Sequence, residues 1–309
     1  MAEKGTTLGG GRRYPMSFVT GRTERHFFPR RQFPFGRAMV LAAIALFISA
    51  CTTLELTEPV PTSTSEKYAA IVVDARNGRV LHAAHAYETR YPASLTKMMT
   101  LYLLFEAMET GRVTPATQIP FSVNASRQPP SKLGVKAGMS IDAETAIRAL
   151  AVKSANDVAV AVAEHLAGSE EAFARAMTLK ARQLGMNGTV FTNASGLPDE
   201  RQVTTAHDMA ILGMALRKRF PGRYHYFSMR EFNFNGRTIK GHNHLLGTVA
   251  GVDGIKTGYT RASGYNLASS VNLGGRSLVA VVMGEDKGKM RDAHMEALIA
   301  YFLPRASRH

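Results

Sequence analysis

Two short β-prone runs, 68–74 and 79–83, flank Ala75-Arg76-Asn77-Gly78. An Asn-Gly pair between apolar stretches is a hairpin signal, because both residues tolerate the positive φ of a tight turn. Apolar residues then recur three and four apart over 94–109, 141–152, 157–167, 170–184 and 205–217, the spacing of one helix face. The β pattern returns over 226–234, 236–240, 254–257, 265–271 and 276–283, and a last helical stretch covers 287–302. Strands at both ends enclosing helices predict an α/β (α+β) domain. Its central antiparallel sheet is drawn from both chain ends and flanked by helices, with a helical subdomain inserted between its halves.

Ahead of that domain, residues 1–37 are rich in arginine and turn formers, and 38–50 form an apolar run of 13 residues. The run is short for a spanning helix but suits the h-region of a secretory signal. Residues 1–50 therefore read as a leader, and the folded part as exported to the periplasm or cell envelope. Ile48-Ser49-Ala50-Cys51 resembles a bacterial lipobox, whose cysteine is lipidated and becomes the first mature residue. Cys51 is the only cysteine, so no intramolecular disulfide exists, and lipidation explains a lone thiol on an exported chain. Ordinary signal-peptidase cleavage nearby is the alternative, although Ile48 fits a small-x-small site poorly. Arg30-Arg31-Gln32-Phe33 resembles the start of a twin-arginine signal, and a basic n-region for the general route fits equally well, so the route stays open. Residues 51–66, rich in Thr, Pro and Ser, read as a tether, 67–303 as the folded domain and 304–309 as a short tail.

With 309 residues, 45% of them hydrophobic, the chain can bury a full core. The formal charge of +14 invites a nucleic-acid reading, but eight Arg or Lys precede residue 51 against only Glu3 and Glu24. The remaining excess suits anionic lipid or cell-wall surfaces, and no nucleic-acid motif stands out.

Three strings carry chemistry: Ser94-Leu95-Thr96-Lys97, Ser154-Ala155-Asn156 and Lys256-Thr257-Gly258. Together they specify serine acyl transfer with lysines as proton handlers, since a serine hydroxyl is inert at neutral pH until a base reaches it. S-x-N also occurs at Ser122 and Ser270. Ser122 opens a proline-broken polar stretch and Ser270 lies in an apolar strand-like run, whereas Ser154 sits between two helical stretches that can hold a loop rigid. Ser94 precedes an apolar helix, so Lys97, three residues on, shares its face. Free N–H groups of that first turn favour negative charge developing beside Ser94. A lysine with its reference pKa is neutral in roughly one part in a few thousand at pH 7, so burial and the Lys256 charge must depress the Lys97 pKa.

With Val73-Asp74-Ala75, Tyr91-Pro92-Ala93-Ser94, Gly196-Leu197-Pro198, Thr205-Ala206-His207-Asp208 and Gly264-Tyr265-Asn266-Leu267 beside these strings, the chain resembles the low-molecular-mass penicillin-binding proteins of the D-alanyl-D-alanine carboxypeptidase family. These are serine peptidases of family S11 that trim peptidoglycan stem peptides. The resemblance covers about 67–303 and implies a serine β-lactamase/transpeptidase-like fold. It implies that Ser94 attacks the carbonyl between two D-alanines, Lys97 takes its proton, and Ser154 helps pass a proton to the departing D-alanine. It further implies that Asn156 binds the substrate backbone, Lys256 and Thr257 hold the terminal carboxylate, Gly258 lets substrate lie along the strand, and the N–H groups of Ser94 and Tyr259 form the oxyanion hole. No metal or organic cofactor is implied, and β-lactams are expected as covalent inhibitors. Class A β-lactamases share the three strings, but their Glu-x-x-Leu-Asn string is absent here.

Two alternatives stay open: a D,D-endopeptidase, which differs in what flanks the scissile bond, and a cell-wall-binding lipoprotein that has lost catalysis. His82-x-x-His85 and His242-x-His244 have metal-like spacing but no acidic or cysteine neighbour, so they read as surface or loop histidines. For the leader, labelled palmitate should enter the wild-type protein and be lost on Cys51→Ala; a wild-type protein that takes up no label removes the anchor.

Overall fold

The computed structural model describes Val60 and residues 62–308. The leader, Cys51 and most of the tether lie outside the described residues. Strands β1 (Ala69–Asp74) and β2 (Val80–Ala84) form the opening hairpin. A 3₁₀ turn, Ala93–Thr96, runs into helix α1 (Lys97–Glu109). The middle contains β3 (Gln118–Pro120), α2 (Val123–Arg127), β4 (Ser140–Asp142), α3 (Ala143–Arg148), a π turn at Ala149–Lys153, α4 (Asn156–Ala167), α5 (Glu170–Leu184) and α6 (Ala206–Arg219). After a 3₁₀ segment, Pro221–Ser228, come hairpin β5 (Glu231–Phe234) and β6 (Arg237–Lys240), then β7 (Val252–Thr260), β8 (Gly264–Leu273), β9 (Arg276–Glu285) and helix α7 (Gly288–Phe302).

The main sheet has five strands in the order β2-β1-β9-β8-β7, all antiparallel, so the two chain ends do build one sheet. Both of its faces are covered, which explains why its inner strands read as nearly continuous apolar runs. Ile71, Val73, Val279 and Val281 face the helical side, where they join Met98, Val158 and Leu212. Val72, Leu278, Ala280 and Val282 face Met295, Leu298, Ile299 and Phe302 of α7. Alternation of side chains along each strand sends neighbours to opposite cores.

Several local expectations change. The strand expected over 226–234 begins only at Glu231, because Tyr224, Tyr226 and Phe227 belong to the 3₁₀ segment opened by Pro221. Tyr226 and Phe227 pack on Phe105, as does Phe220, so an aromatic cluster had imitated β propensity. The helix expected over 141–152 starts at Ala143, where Asp142 accepts from the Thr145 N–H at 2.6 Å as its cap, and widens into the π turn from Ala149. Ser122, read as part of a loop, caps α2 by accepting from Ala125 N–H at 2.9 Å.

The described end of the tether is docked. Ser63 donates to Glu285 at 3.1 Å and Ser65 to the Gly284 carbonyl at 2.7 Å. The tail is also fixed, with Ala306 buried and the Ser307 N–H donating to Asp74 at 2.8 Å. No helix among the described residues is long and apolar enough to cross a membrane.

Leu298 is fully buried between α7 and the sheet. Leu298→Ala should lower the unfolding free energy by about 2–5 kcal/mol in equilibrium denaturation, the range for a leucine cavity; a loss under ~1 kcal/mol would show that α7 adds little to the core.

Candidate active site

Pro92 and Ala93, the latter left-handed at φ +48°, deliver the chain into the turn that carries Ser94. One turn further, Lys97 is fully buried, and its Nζ lies 3.3 Å from Ser94 Oγ. The same amine donates to Asn156 Oδ1 at 2.7 Å and to the Ser195 carbonyl at 2.5 Å. The turn at 193–196 sits directly against the serine's own turn: a Cβ on Gly196 would lie 1.9 Å from the Ala93 carbonyl. Only glycine fits there.

Ser154 ends the π turn in a left-handed conformation, φ +60° and ψ +40°. Such backbone costs a serine on the order of 1 kcal/mol or more and persists only where neighbours fix it. They do so here. The Asn156 N–H donates to the Ser131 carbonyl at 2.7 Å, Ser131 Oγ donates to the Lys153 carbonyl at 3.0 Å, and Asp157 accepts from the N–H groups of Leu133 and Gly134. The Ser154 hydroxyl is buried and has no hydrogen-bond partner among the described residues. An unsatisfied buried hydroxyl costs about 1–3 kcal/mol, so strain and desolvation are both concentrated on this side chain.

The third string lies on β7, the edge of the sheet. A Cβ on Gly258 would sit 3.0 Å from Ser94 N and 3.2 Å from Leu95 N, so the strand lies against the serine turn where a side chain would wedge the two apart. Asn266, on the neighbouring β8, donates to the carbonyls of Tyr91 and Pro92 at 3.0 and 3.1 Å and accepts from Gly284 N–H at 2.9 Å, pinning the approach to Ser94. Lys256 is buried, its Nζ donating to the Thr257 carbonyl at 2.9 Å. Tyr259 is half exposed and stacks on Tyr265 with ring centroids 4.2 Å apart. A cleft of about 630 Å³ opens over Ser94, Ser154, Asn156 and Thr257–Thr260.

Burial pushes the Lys97 amine well below the usual lysine range, and the Lys256 charge pushes it further, outweighing Asp157 and Glu170. Lys256 is itself pulled down to about 7, by burial first and by Arg291 second. Burial and the Lys256 charge thus both favour the uncharged form of Lys97. A neutral amine has two N–H groups and one lone pair. The Asn156 and Ser195 oxygens take the two N–H groups, which leaves the lone pair for the Ser94 hydroxyl.

Ser94, Lys97, Ser154, Asn156, Lys256, Thr257, Gly258 and Tyr259 thus converge. The other S-x-N serines do not: Ser122 is the α2 cap, and Ser270 is held between Tyr224 and Asp253 in β8. Asn156 is committed more deeply than expected, with Oδ1 on Lys97 and one N–H on the Pro129 carbonyl at 2.9 Å, leaving its second N–H uncommitted among the described residues. His242 and His244, read as surface or loop residues, line the cleft. Burial and the Lys256 charge hold the His242 pKa below its ordinary value. His82 stacks on Phe302 and His85 pairs with Glu88 at 2.8 Å. Among the described residues no group of three or more His, Cys, Asp or Glu is arranged to hold a metal. Arg291, nearly buried on α7 and lining the cleft, was missed because an arginine inside a helical stretch carries no local motif. Asn266 lies in a string singled out above, but only its contacts reveal what it does.

The sequence profile of the D-alanyl-D-alanine carboxypeptidase family matches residues 56–287. The chain is 35% identical over 276 residues to D-alanyl-D-alanine carboxypeptidase DacA of Escherichia coli (strain K12), covering 85% of this chain and 68% of that protein. It superposes on the D-alanyl-D-alanine carboxypeptidase DacD of Francisella tularensis with a TM-score of 0.75 and 29% identity, over 79% of this chain and 71% of that one. Ampicillin-bound penicillin-binding protein D2 of Listeria monocytogenes gives 0.71 and 27%, over 78% and 99%. The converged serine, its buried lysine and the edge strand beside them therefore belong to a member of the D-alanyl-D-alanine carboxypeptidase family of serine peptidases.

Proposed function

We propose that this chain is an exported serine-type D-alanyl-D-alanine carboxypeptidase that removes the terminal D-alanine of peptidoglycan stem peptides through an acyl-enzyme on Ser94. Lys97 carries the assignment: a fully buried amine 3.3 Å from a serine hydroxyl, with its two acceptors, Asn156 and the Ser195 carbonyl, already fixed around it. An inactive wall-binding relic has no need to keep a lysine desolvated or a Ser154 hydroxyl unpaired.

The substrate backbone lies along the open edge of β7, where strand addition uses the unpaired main-chain groups and Gly258 keeps the approach close. Lys256, Thr257 and Arg291 hold the terminal carboxylate. Lys97 takes the Ser94 proton as Oγ attacks the carbonyl between the two D-alanines. The tetrahedral oxygen is met by the N–H groups of Ser94 and Tyr259. The Ser154 hydroxyl passes a proton to the departing amine, the C–N bond breaks, and water then hydrolyses the Ser94 ester. A β-lactam enters the same way and stays as a slowly released acyl group. Lipidation of Cys51 would keep the domain at the membrane.

The full-length protein, incubated with pentapeptide muropeptides and cross-linked dimers, should release one alanine by mass; dimer splitting instead would mean endopeptidase. Lys97→Arg should slow labelling by a fluorescent penicillin about 10²–10⁴-fold, the contribution of a positioned base; full-rate labelling would remove Lys97 from the mechanism. The pH profile of kcat/KM should be bell-shaped. It falls on the acid side as Lys97 gains a proton, and on the alkaline side, from near pH 7, as free Lys256 loses the charge that binds carboxylate. A profile with no alkaline fall through pH 9 would argue against Lys256 as the carboxylate anchor.

A further inference from the structure

Glu170 is the first residue of α5, following its cap Ser169, which accepts from Ala172 N–H at 3.1 Å. An acidic residue at that position is ordinarily a solvated partner for the helix dipole. Its neighbour Glu171 is of that kind, exposed on the outer side. Glu170 instead turns inward, is half-buried, and accepts from the Ala194 N–H at 3.0 Å.

Ala194 belongs to the 193–196 turn that meets Lys97. Thr100 of α1 donates to its carbonyl at 2.7 Å, Asn193 Oδ1 accepts from the Ser195 and Gly196 N–H groups at 3.2 and 2.7 Å, and the Ser195 carbonyl takes the Lys97 amine at 2.5 Å. The turn cannot slide toward Ser94, because Gly196 already touches the Ala93 carbonyl. Glu170 holds it through the Ala194 N–H.

We infer, resting on the mechanism above, that Glu170 is a positioning residue: by holding the Ala194 amide it seats the adjacent Ser195 carbonyl on the Lys97 amine and turns the lone pair toward Ser94. Its charge adds a second effect. Lys97 is faced by Asp157 from α4, Glu170 from α5 and Lys256 from β7; Glu170 is faced by Glu171 of its own helix, Glu164 of α4 and Lys97 of α1. Burial raises the Glu170 pKa, with Glu171 and Glu164 adding to it and the Ala194 N–H bond and Lys97 opposing. An ionised Glu170 draws a proton toward Lys97, opposing burial and Lys256, so it keeps the base strong as well as placed.

Glu170→Gln keeps an acceptor for Ala194 and removes the charge, whereas Glu170→Ala removes both. In the full-length protein, the acid limb of fluorescent-penicillin acylation should move down by about half a pH unit in Glu170→Gln, with little change in the plateau rate. The shift should fade at low pH, where wild-type Glu170 is protonated too. Glu170→Ala should lower the plateau about tenfold or more while the KM for alanine release changes less. Glu171→Gln, altering the same helix end but facing solvent, should leave the profile in place. A Glu170→Gln profile that overlays the wild type, or an equal shift in Glu171→Gln, overturns the role. If the wild type itself takes no label at Ser94, the enzymatic assignment has failed instead, and the two failures are told apart.

Discussion

An uncharged lysine amine, buried beside a serine hydroxyl, is the condition on which the rest of this structure depends. A primary amine prefers to be protonated and wet, and leaving it dry and neutral is tolerable only if its N–H groups find acceptors and the nearby acids that reward the extra proton are outweighed. Asn156 and the Ser195 carbonyl meet the first requirement, burial and Lys256 the second. Each comes from a different part of the chain, so the topology exists, at this spot, to bring a helix start, a strained loop, a turn and an edge strand within hydrogen-bond reach of one nitrogen.

Two glycines allow that convergence and two side-chain amides hold it. Gly196 and Gly258 remove the atoms that would separate the turn and the strand from the serine's segment. Asn156 and Asn266 then lock the loop and the approach to the serine through contacts with main-chain carbonyls. Backbone bonded to fixed side-chain amides moves less than backbone bonded to water, and positioning of this kind is what turns a weak nucleophile into a reactive one. The strain held in Ala93 and Ser154, both left-handed, is tolerated because the surrounding contacts leave those residues nowhere else to go.

Much of this was legible before any coordinates. The hairpin at Asn77-Gly78, the helical middle and the β-rich end gave the antiparallel sheet, Ser94, Lys97 and Lys256 could be named from local, chemically specific spacing, and Ser154 from its place between two helical stretches. Tyr226 and Phe227 misled because aromatic residues serve a packed cluster as readily as a strand. Arg291 was silent: it reaches the cleft only because α7 packs across the sheet from the helices, a fact no window of sequence contains. His242 and His244, read as surface or loop residues, do lie in an irregular segment, but their place on the cleft and the closeness of Lys256 to His242 arise only on folding. Local chemistry is written in the chain, while long-range electrostatics appears only after folding.

In the proposed mechanism the two lysines also link binding to chemistry. Lys256 depresses the proton affinity of Lys97 only while its charge is unopposed. With the substrate carboxylate seated on Lys256 as proposed, that charge is offset, and the arriving substrate strengthens the base that activates Ser94. On that mechanism D-alanine leaves already carrying its proton, so once its carboxylate has gone the Lys256 charge is again unopposed and Lys97 is again uncharged, free to take a proton from the water that hydrolyses the ester. A neutral residue at 256 could still shape the pocket, but in the proposed mechanism it could not couple occupancy to basicity, which gives a purpose to a second buried lysine where a lone cation is otherwise costly.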